Sequence, residues 1–184
     1  MTTPDANKRR LAFGAVGVGA LTLGVIMGRR HLGGGPTDTA PNAGAAASLF
    51  AATLPDSHGA DIPLARWRGQ PLVVNFWATW CAPCVAEMPD LQQLFQTYGP
   101  RGMGFVGIGI DRAQAIAEFG RKLGVTYPLL VGGYAGTELA RAFGNASGGL
   151  PFTVVLDRLG ALKAAQLGRI HVENLRSIIE SSLG

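Results

Sequence analysis

The chain contains two cysteines, which are separated by two residues in the segment Trp80-Cys81-Ala82-Pro83-Cys84. Cysteines at this spacing can form a disulfide within one helical turn, and such a pair can alternate between dithiol and disulfide. An apolar run rich in β-branched and aromatic residues, 71–77, precedes the pair, and apolar residues at helical spacing follow it. The first cysteine is therefore expected where a buried strand ends and a helix begins, and the expected chemistry is thiol–disulfide exchange.

The position at a helix N-terminus gives the two sulfurs different expected roles. The helix dipole and the unpaired N–H groups of the first turn lower the pKa of a thiol there, so Cys81 is expected to attack as a thiolate. Cys84 lies about one turn further on and is expected to resolve the mixed disulfide. Pro83 stiffens the loop at a helical position where its missing N–H costs little, and we predict that it also contacts the substrate.

A pair of cysteines can also bind a metal or serve as a structural disulfide. A zinc site needs about four ligands, but there is no second cysteine pair, and His31, His58 and His171 have no ligand spacing. A purely structural disulfide stays open for a protein outside the cytosol, although closing so short a loop contributes little entropic stabilisation. No metal or organic cofactor is expected, because the Cys81 and Cys84 pair is itself the redox group.

Alternating apolar segments on both sides of the cysteines predict an α/β domain. Strands joined by helical crossovers imply parallel pairing, and the turn-rich spacer 157–160 predicts an antiparallel hairpin near the end. Predicted strands cover 71–77, 103–110, 127–131, 152–156 and 161–167, with shorter β pieces near 49–53 and 61–64, and predicted helices cover 84–98, 114–123 and 172–183.

The N-terminal part of the chain has a different composition. Residues 11–28 carry no charge and are long enough to span a membrane. Residues 1–10 are expected to be a cytoplasmic basic n-region, and 11–28 a transmembrane anchor or uncleaved signal, because arginines and not a small-residue cleavage site follow directly. Residues 29–48, rich in Gly, Pro and Ala, predict a flexible linker before a globular domain over 49–184. Cleavage of the N-terminal segment stays open.

The basic character of the chain comes from this N-terminal segment. Residues 1–31 hold five basic residues and one acidic residue, 5 − 1 = +4, which equals the formal charge of the whole chain. The remaining 11 basic and 11 acidic residues cancel, from totals of 16 and 12. Because no basic patch is left over, nucleic acid is not an expected partner.

The segment VVNFWATWCAPCVAEMPDLQ resembles the thioredoxin superfamily, in particular the TlpA/ResA-type (DsbE-like) membrane-anchored thiol:disulfide oxidoreductases. The segment Gly149-Leu150-Pro151-Phe152-Thr153 and the turn at 157–160 extend the resemblance, which covers about residues 49–184. It implies a thioredoxin fold, in which helices flank a mixed central sheet, with an N-terminal β extension.

The resemblance also implies roles for residues outside the cysteine pair. Pro151 would be a cis-proline facing the cysteines, and the backbone of Leu150 would pair with a substrate strand. Trp80 would be a substrate-facing aromatic residue. Glu87 occupies the last position of C-x-x-C-x-x-E, so it would lie near the resolving sulfur and move its proton. It would replace the buried aspartate of thioredoxin, because this chain has Asn75 at that position.

Family analogy suggests an enzyme that crosses the inner membrane once, with its domain facing the periplasm or the extracytoplasmic side. It would reduce disulfides of extracytoplasmic proteins, such as cytochrome c precursors, and a membrane thiol-reductant donor would keep it reduced. Three alternatives stay open: a disulfide oxidase, a thiol peroxidase on the same fold, and a tethered binding module or chaperone in which the cysteines are incidental.

Overall fold

The computed structural model describes residues 43–184, so the expected n-region, the apolar span and most of the expected linker lie outside the described residues. Within 43–184, no helix combines the length and apolarity that crossing a membrane requires. The helices are α1 Ala43–Ala51, α2 Ala82–Tyr98, α3 Ala113–Lys122, α4 Gly133–Ala142 and α5 Val172–Leu183, and the strands are β1 Thr53–Pro55, β2 Asp61–Pro63, β3 Leu72–Trp77, β4 Gly104–Gly109, β5 Leu129–Val131, β6 Phe152–Leu156 and β7 Leu162–Leu167.

A five-stranded mixed sheet with the order β5-β4-β3-β6-β7 carries the cysteine motif. Strands β3, β4 and β5 are parallel, whereas β6 is antiparallel to β3 and β7 is antiparallel to β6. Strands β1 and β2 form a separate antiparallel hairpin, which is the expected N-terminal β extension. An isolated bridge between Asp56 and Leu130 joins the end of this hairpin to the edge strand β5. The fold is the expected thioredoxin fold.

Strand β3 lies at the centre of the sheet because its six residues are all buried and can pack on both faces. On one face, Leu72, Val74 and Phe76 pack in a cluster with residues of α1 and α4. The opposite face packs against α2 and α5, with Val73 in the corresponding cluster. The chain therefore leaves β3 between two helical layers and enters the cysteine motif at the end of the sheet.

The N-terminal boundary of the domain differs from the sequence prediction. The expected linker over 29–48 and the expected β piece near 49–53 are both wrong where they overlap α1, which begins at Ala43. Leu49 is 0% exposed, and Ala45, Ala46 and Phe50 are buried beside it. A run of small residues without apolar periodicity suggests a linker, but alanine is the best helix former, and its small side chain lets α1 pack closely.

Helix α4 was not predicted from the sequence. It contains Gly133 and Gly136, and glycine lowers helix propensity by about 1 kcal/mol, which hides the pattern. Packing explains the glycine at position 136, because a Cβ atom there would lie 2.8 Å from Ile110 Cδ1 and 2.9 Å from Ile108 Cγ2. The glycine thus lets α4 approach β4 closely.

Candidate active site

Cys81 and Cys84 form a disulfide at the junction of β3 and α2. The Cα atoms of the two residues are 5.3 Å apart, and the sulfurs are bonded at 2.01 Å. Cys81 is the N-cap residue of α2, and its Sγ accepts a hydrogen bond from Cys84 N at 3.3 Å. Pro83 lies in the first turn, where no intrahelical N–H partner is lost. The expected strand-to-helix position of the first cysteine is confirmed.

The two sulfurs differ in access to solvent. Cys81 retains 6% exposure, whereas Cys84 is 0% exposed and packs with Trp77 and Met88. A partner can therefore approach the disulfide from the Cys81 side. This asymmetry fits attack at Cys81 and resolution by Cys84.

Glu87 lies buried within a hydrogen-bonded group on the same side of the sheet. Its side chain is 0% exposed, Oε1 accepts from Asn75 Nδ2 at 2.8 Å, and Oε2 accepts from Ile170 N at 3.0 Å. Asn75 Nδ2 also donates to Thr153 Oγ1 at 3.0 Å, because Asn75 and Thr153 are opposite each other in the β3–β6 pair. Three chain segments therefore hold the carboxyl in place.

This environment moves the pKa of Glu87. Burial raises it, and the hydrogen bonds from Ile170 N and Asn75 act in the opposite direction but do not cancel the effect of burial. A carboxyl whose pKa is raised above its usual value can take up and release a proton closer to neutral pH. Glu87 thus has the environment of a group that transfers protons.

Further polar atoms are buried on this side of the sheet. Asn75 Oδ1, Trp77 Nε1 and the Tyr127 hydroxyl have no hydrogen-bond partner within residues 43–184. Burial, with a smaller effect from the charge of Glu87, raises the pKa of Tyr127, so its hydroxyl stays protonated. The surroundings of Glu87 are therefore more polar than those of the rest of the core.

The segment before β6 lies beside the disulfide. The Leu150–Pro151 peptide bond is cis, as the resemblance implied. Leu150 packs against the cluster that contains both cysteines, and Gly168 N donates to the Pro151 carbonyl at 2.8 Å. The structure thus brings Leu150 and Pro151 to the cysteine pair across about 70 residues of sequence.

Exposed apolar side chains occur at the same end of the sheet. Trp80, directly before Cys81, is 70% exposed, and Pro83 is exposed as well. Sequence reasoning missed Leu167, which is 54% exposed and lies against Gly149, with Leu167 Cδ1 3.0 Å from the position of a Cβ atom there. A signal existed, because Leu167 occupies an outward-facing position of β7 where a polar residue would be usual.

No group of three or more His, Cys, Asp or Glu side chains that could hold a metal ion occurs among residues 43–184.

Comparisons with known proteins agree with this geometry. A family model described as the AhpC/TSA family matches residues 43–165. The chain is 29% identical over 129 residues to the thiol-disulfide oxidoreductase ResA of Geobacillus thermodenitrificans, a match covering 70% of this chain and 72% of that protein. A thiol:disulfide interchange protein of the thioredoxin family from Chlorobium tepidum has 30% identity and a TM-score of 0.63, covering 72% and 93% of the two chains. The MTB DsbF structure, at 24% identity and a TM-score of 0.64, covers 74% and 98% and is similar in fold.

Proposed function

Because the chain belongs to the AhpC/TSA family and is a thiol:disulfide oxidoreductase of the TlpA/ResA/DsbE type, we propose that it works as a reductant of protein disulfides outside the cytoplasm. Cytochrome c precursors are the proposed substrates, and a membrane thiol-reductant donor is the proposed electron source. The physical support for this direction is the buried carboxyl of Glu87, which follows Cys84 by three residues on α2.

When it is ionised, a buried carboxylate disfavours a second negative charge nearby. Reduction of the disulfide creates thiols, of which at least one must ionise to react, so a carboxylate one helical turn from Cys84 destabilises the thiolate form. Disulfide oxidants have the opposite property, because their reduced form is stabilised. The environment of Glu87 therefore favours a pair that gives up its electrons easily.

The proposed reaction starts from the dithiol form. The Cys81 thiolate attacks one sulfur of a substrate disulfide, which forms a mixed disulfide and releases the other substrate sulfur as a thiolate. Cys84 then loses its proton to the Glu87 carboxylate and attacks Cys81 Sγ, which breaks the mixed disulfide and releases the bound substrate sulfur as a second thiolate. Two electrons have passed to the substrate, and the Cys81–Cys84 disulfide of the structure is the product state.

The surface around Cys81 supports a protein substrate. We assign the contact with an extended substrate segment to Trp80, Pro83, Leu150 and Pro151, as predicted from the sequence, and add Leu167. Leu150 and Leu167 border the same loop, and Trp80 is 70% exposed. We call these five residues, Trp80, Pro83, Leu150, Pro151 and Leu167, the apolar collar. Such an apolar surface around a reactive disulfide suits a substrate cysteine flanked by uncharged side chains.

The proposed location rests on residues outside the described structure. Residues 1–10 are proposed to stay in the cytoplasm and 11–28 to anchor the chain in the inner membrane, because the span is free of charge and flanked by basic residues. The linker then extends from 29 to the start of α1, and the catalytic domain faces the periplasm.

The reduction potential of the Cys81 and Cys84 pair in the full chain tests the proposed direction. Equilibration with glutathione or dithiothreitol buffers is expected to give a value at the reducing end of the range of thioredoxin-fold proteins, roughly −270 mV, and not near the oxidising end at about −120 mV. A Cys84→Ser variant is expected to accumulate a mixed disulfide with a disulfide-containing apocytochrome. A potential near the oxidising end would contradict the proposal that the chain is a reductant. Consumption of peroxide by the reduced chain would favour a peroxidase. Full function of the Cys81→Ser, Cys84→Ser double variant would favour a binding module.

A further inference from the structure

Asp111, two residues beyond the end of β4, is hydrogen-bonded to the loop that leads into Cys81. Its Oδ2 accepts hydrogen bonds from Thr79 N at 3.3 Å and from Thr79 Oγ1. Its Oδ1 accepts from Arg112 N at 2.7 Å. The carboxylate thus connects the start of α3 to a residue two positions before the reactive cysteine.

Other backbone bonds hold the same loop at its two ends. Ile110 N donates to the Trp77 carbonyl at 2.7 Å, and Cys81 N donates to the Ala78 carbonyl at 3.2 Å. The bonds to Asp111 fix the middle of the loop at Thr79, so the position of Trp80 and Cys81 depends on three separate anchors. Of these three, Asp111 alone contributes a side chain and a charge.

Asp111 is ionised at neutral pH. Partial burial acts to raise its pKa, but the hydrogen bonds from Thr79 Oγ1, Arg112 N and Thr79 N outweigh that effect, so the pKa lies below its usual value. Asp111 itself is partly exposed, so salt in the solvent can reach and screen its charge.

We propose that Asp111 is a positioning residue, which holds Thr79, Trp80 and Cys81 in place and whose fixed negative charge lowers the reduction potential of the cysteine pair. The charge acts on the reduced state, where Cys81 becomes a thiolate, and it leaves the uncharged disulfide almost unaffected. The inference rests on the proposed attacking role of Cys81, but not on the proposed direction of electron flow, because any disulfide pair has a measurable potential.

Coulomb's law gives the size of the effect. Thr79, which the carboxylate contacts, is two positions before Cys81, and this places the carboxylate on the order of 10 Å from the Cys81 sulfur. For an effective dielectric constant between about 20 and 80, removal of the charge changes the thiol–disulfide equilibrium constant about two- to fifteenfold. Since a tenfold change is 29.6 mV for a two-electron couple, the potential rises by about 9 to 35 mV.

Two variants separate charge from hydrogen bonding in the full chain purified in detergent. Asp111→Asn keeps an acceptor oxygen and removes the charge. At about pH 8 it is therefore expected to change the thiol–disulfide equilibrium constant about two- to fifteenfold, which raises the potential, and to lower the pKa of Cys81. Thr79→Val keeps the charge and loses the hydroxyl. Its thiol–disulfide equilibrium constant is therefore expected to stay within twofold of that of the unmodified chain, while its reaction with a protein disulfide slows.

Asp157→Asn is the matched control. Asp157 likewise accepts hydrogen bonds from two nearby N–H groups, of Leu159 and Ala161, each at 2.9 Å, but in the β6–β7 turn at the far end of the sheet. Its substitution is expected to leave the potential unchanged. The proposal would be overturned if the thiol–disulfide equilibrium constant of Asp111→Asn stayed within twofold of that of the unmodified chain. An equal shift in Asp157→Asn would overturn it as well.

Salt titration of the unmodified chain gives a second measurement that needs no variant. Raising the ionic strength from about 0.01 to about 1 M shortens the Debye length from about 30 to about 3 Å. The potential is then expected to rise toward that of Asp111→Asn, and the variant itself should respond less. An equal salt response in the chain and the variant would contradict the role of this charge.

Discussion

Replacing Asn75 with aspartate would place two carboxyl groups where the structure has an amide and a carboxyl. Asn75 Nδ2 and Glu87 Oε1 are 2.8 Å apart, and both side chains are nearly inaccessible to solvent, with 1% and 0% exposure. An Asn75→Asp variant can keep that hydrogen bond only if one of the two carboxyls holds a proton. The variant therefore tests whether the Asn75 amide is needed for the Glu87 carboxyl to be ionised in its buried position.

The expected magnitude follows from the separation of the two charges. Carboxylates whose oxygens lie about 3 Å apart have charge centres about 4 Å apart, and at an effective dielectric constant of about 20 their repulsion is about 4 kcal/mol. This corresponds to about three pKa units for the second ionisation, since one unit is 1.36 kcal/mol. The two groups would titrate as a coupled pair that shares one proton at neutral pH.

The sign of the pH dependence follows from proton binding. In Asn75→Asp the folded chain retains a proton that the unfolded chain has already released above about pH 4.5, so stability falls as pH rises through the raised pKa of the pair. The unmodified chain has the same sign and a shallower slope, because burial raises the pKa of Glu87 alone. Glu87→Gln removes that group, and its stability is expected to lose this part of the pH dependence.

Urea unfolding at about pH 5 and pH 8 measures these slopes. We expect Asn75→Asp to lose up to about 4 kcal/mol more than the unmodified chain between the two pH values. The swapped double variant Asn75→Asp, Glu87→Gln restores one carboxyl and one amide, and it is expected to return the slope toward that of the unmodified chain. An equal loss at both pH values would mean that packing, and not charge, sets the cost, and would refute the reasoning. In the same variants, an unchanged exchange rate and thiol titration in Glu87→Gln would remove Glu87 from the mechanism.

The remaining predictions concern the helix at the start of the domain and the apolar collar. Leu49→Ala is expected to lower the free energy of unfolding by about 2–5 kcal/mol in urea titrations, because Leu49 is fully buried; a loss below about 0.5 kcal/mol would contradict the packing of α1. Trp80→Ala and Leu167→Ala are each expected to raise KM several-fold for a protein disulfide, which corresponds to a loss of about 1 kcal/mol of binding free energy, but not for a small aromatic disulfide. Leu159→Ala, at a side chain 94% exposed in the β6–β7 turn, is the control and should change neither, whereas an equal effect there would count against the collar.

The parts of the fold that sequence patterns predicted are those in which local composition decides the structure. The predicted strand 152–156 and helix 172–183 have the observed bounds of β6 and α5, and the other central strands differ by three residues or fewer at their ends. A buried central strand needs a continuous apolar run, and an amphipathic helix needs a repeat of 3.6 residues, so both leave a direct record in the sequence. The cysteine pair was equally local, because its two members lie three positions apart.

The N-terminal helix shows where such patterns fail. Its composition, rich in Ala and Gly, is compatible both with a tether and with a helix, and local propensity alone does not decide between them. What decides is the partner surface: Leu49 and Phe50 pack in the cluster formed by Leu64, Trp67 and strand residues. That surface is assembled from distant segments, so no window of sequence around α1 contains it.

The environment of Glu87 depends on the same kind of non-local assembly, and there it determines chemistry. The C-x-x-C-x-x-E spacing identifies the residue, but spacing alone describes equally well a glutamate exposed on a helix surface. The hydrogen bonds to the group come from Asn75, 12 residues earlier, and from Ile170, 83 residues later, and Asn75 is itself bonded to Thr153 across 78 residues. These contacts depend on the register of β3 with β6 and on the path of the chain after β7. The same fold that removes Glu87 from water also supplies the donors that limit the rise in its pKa, so the proton affinity of the carboxyl is a property of the tertiary structure and not of the motif.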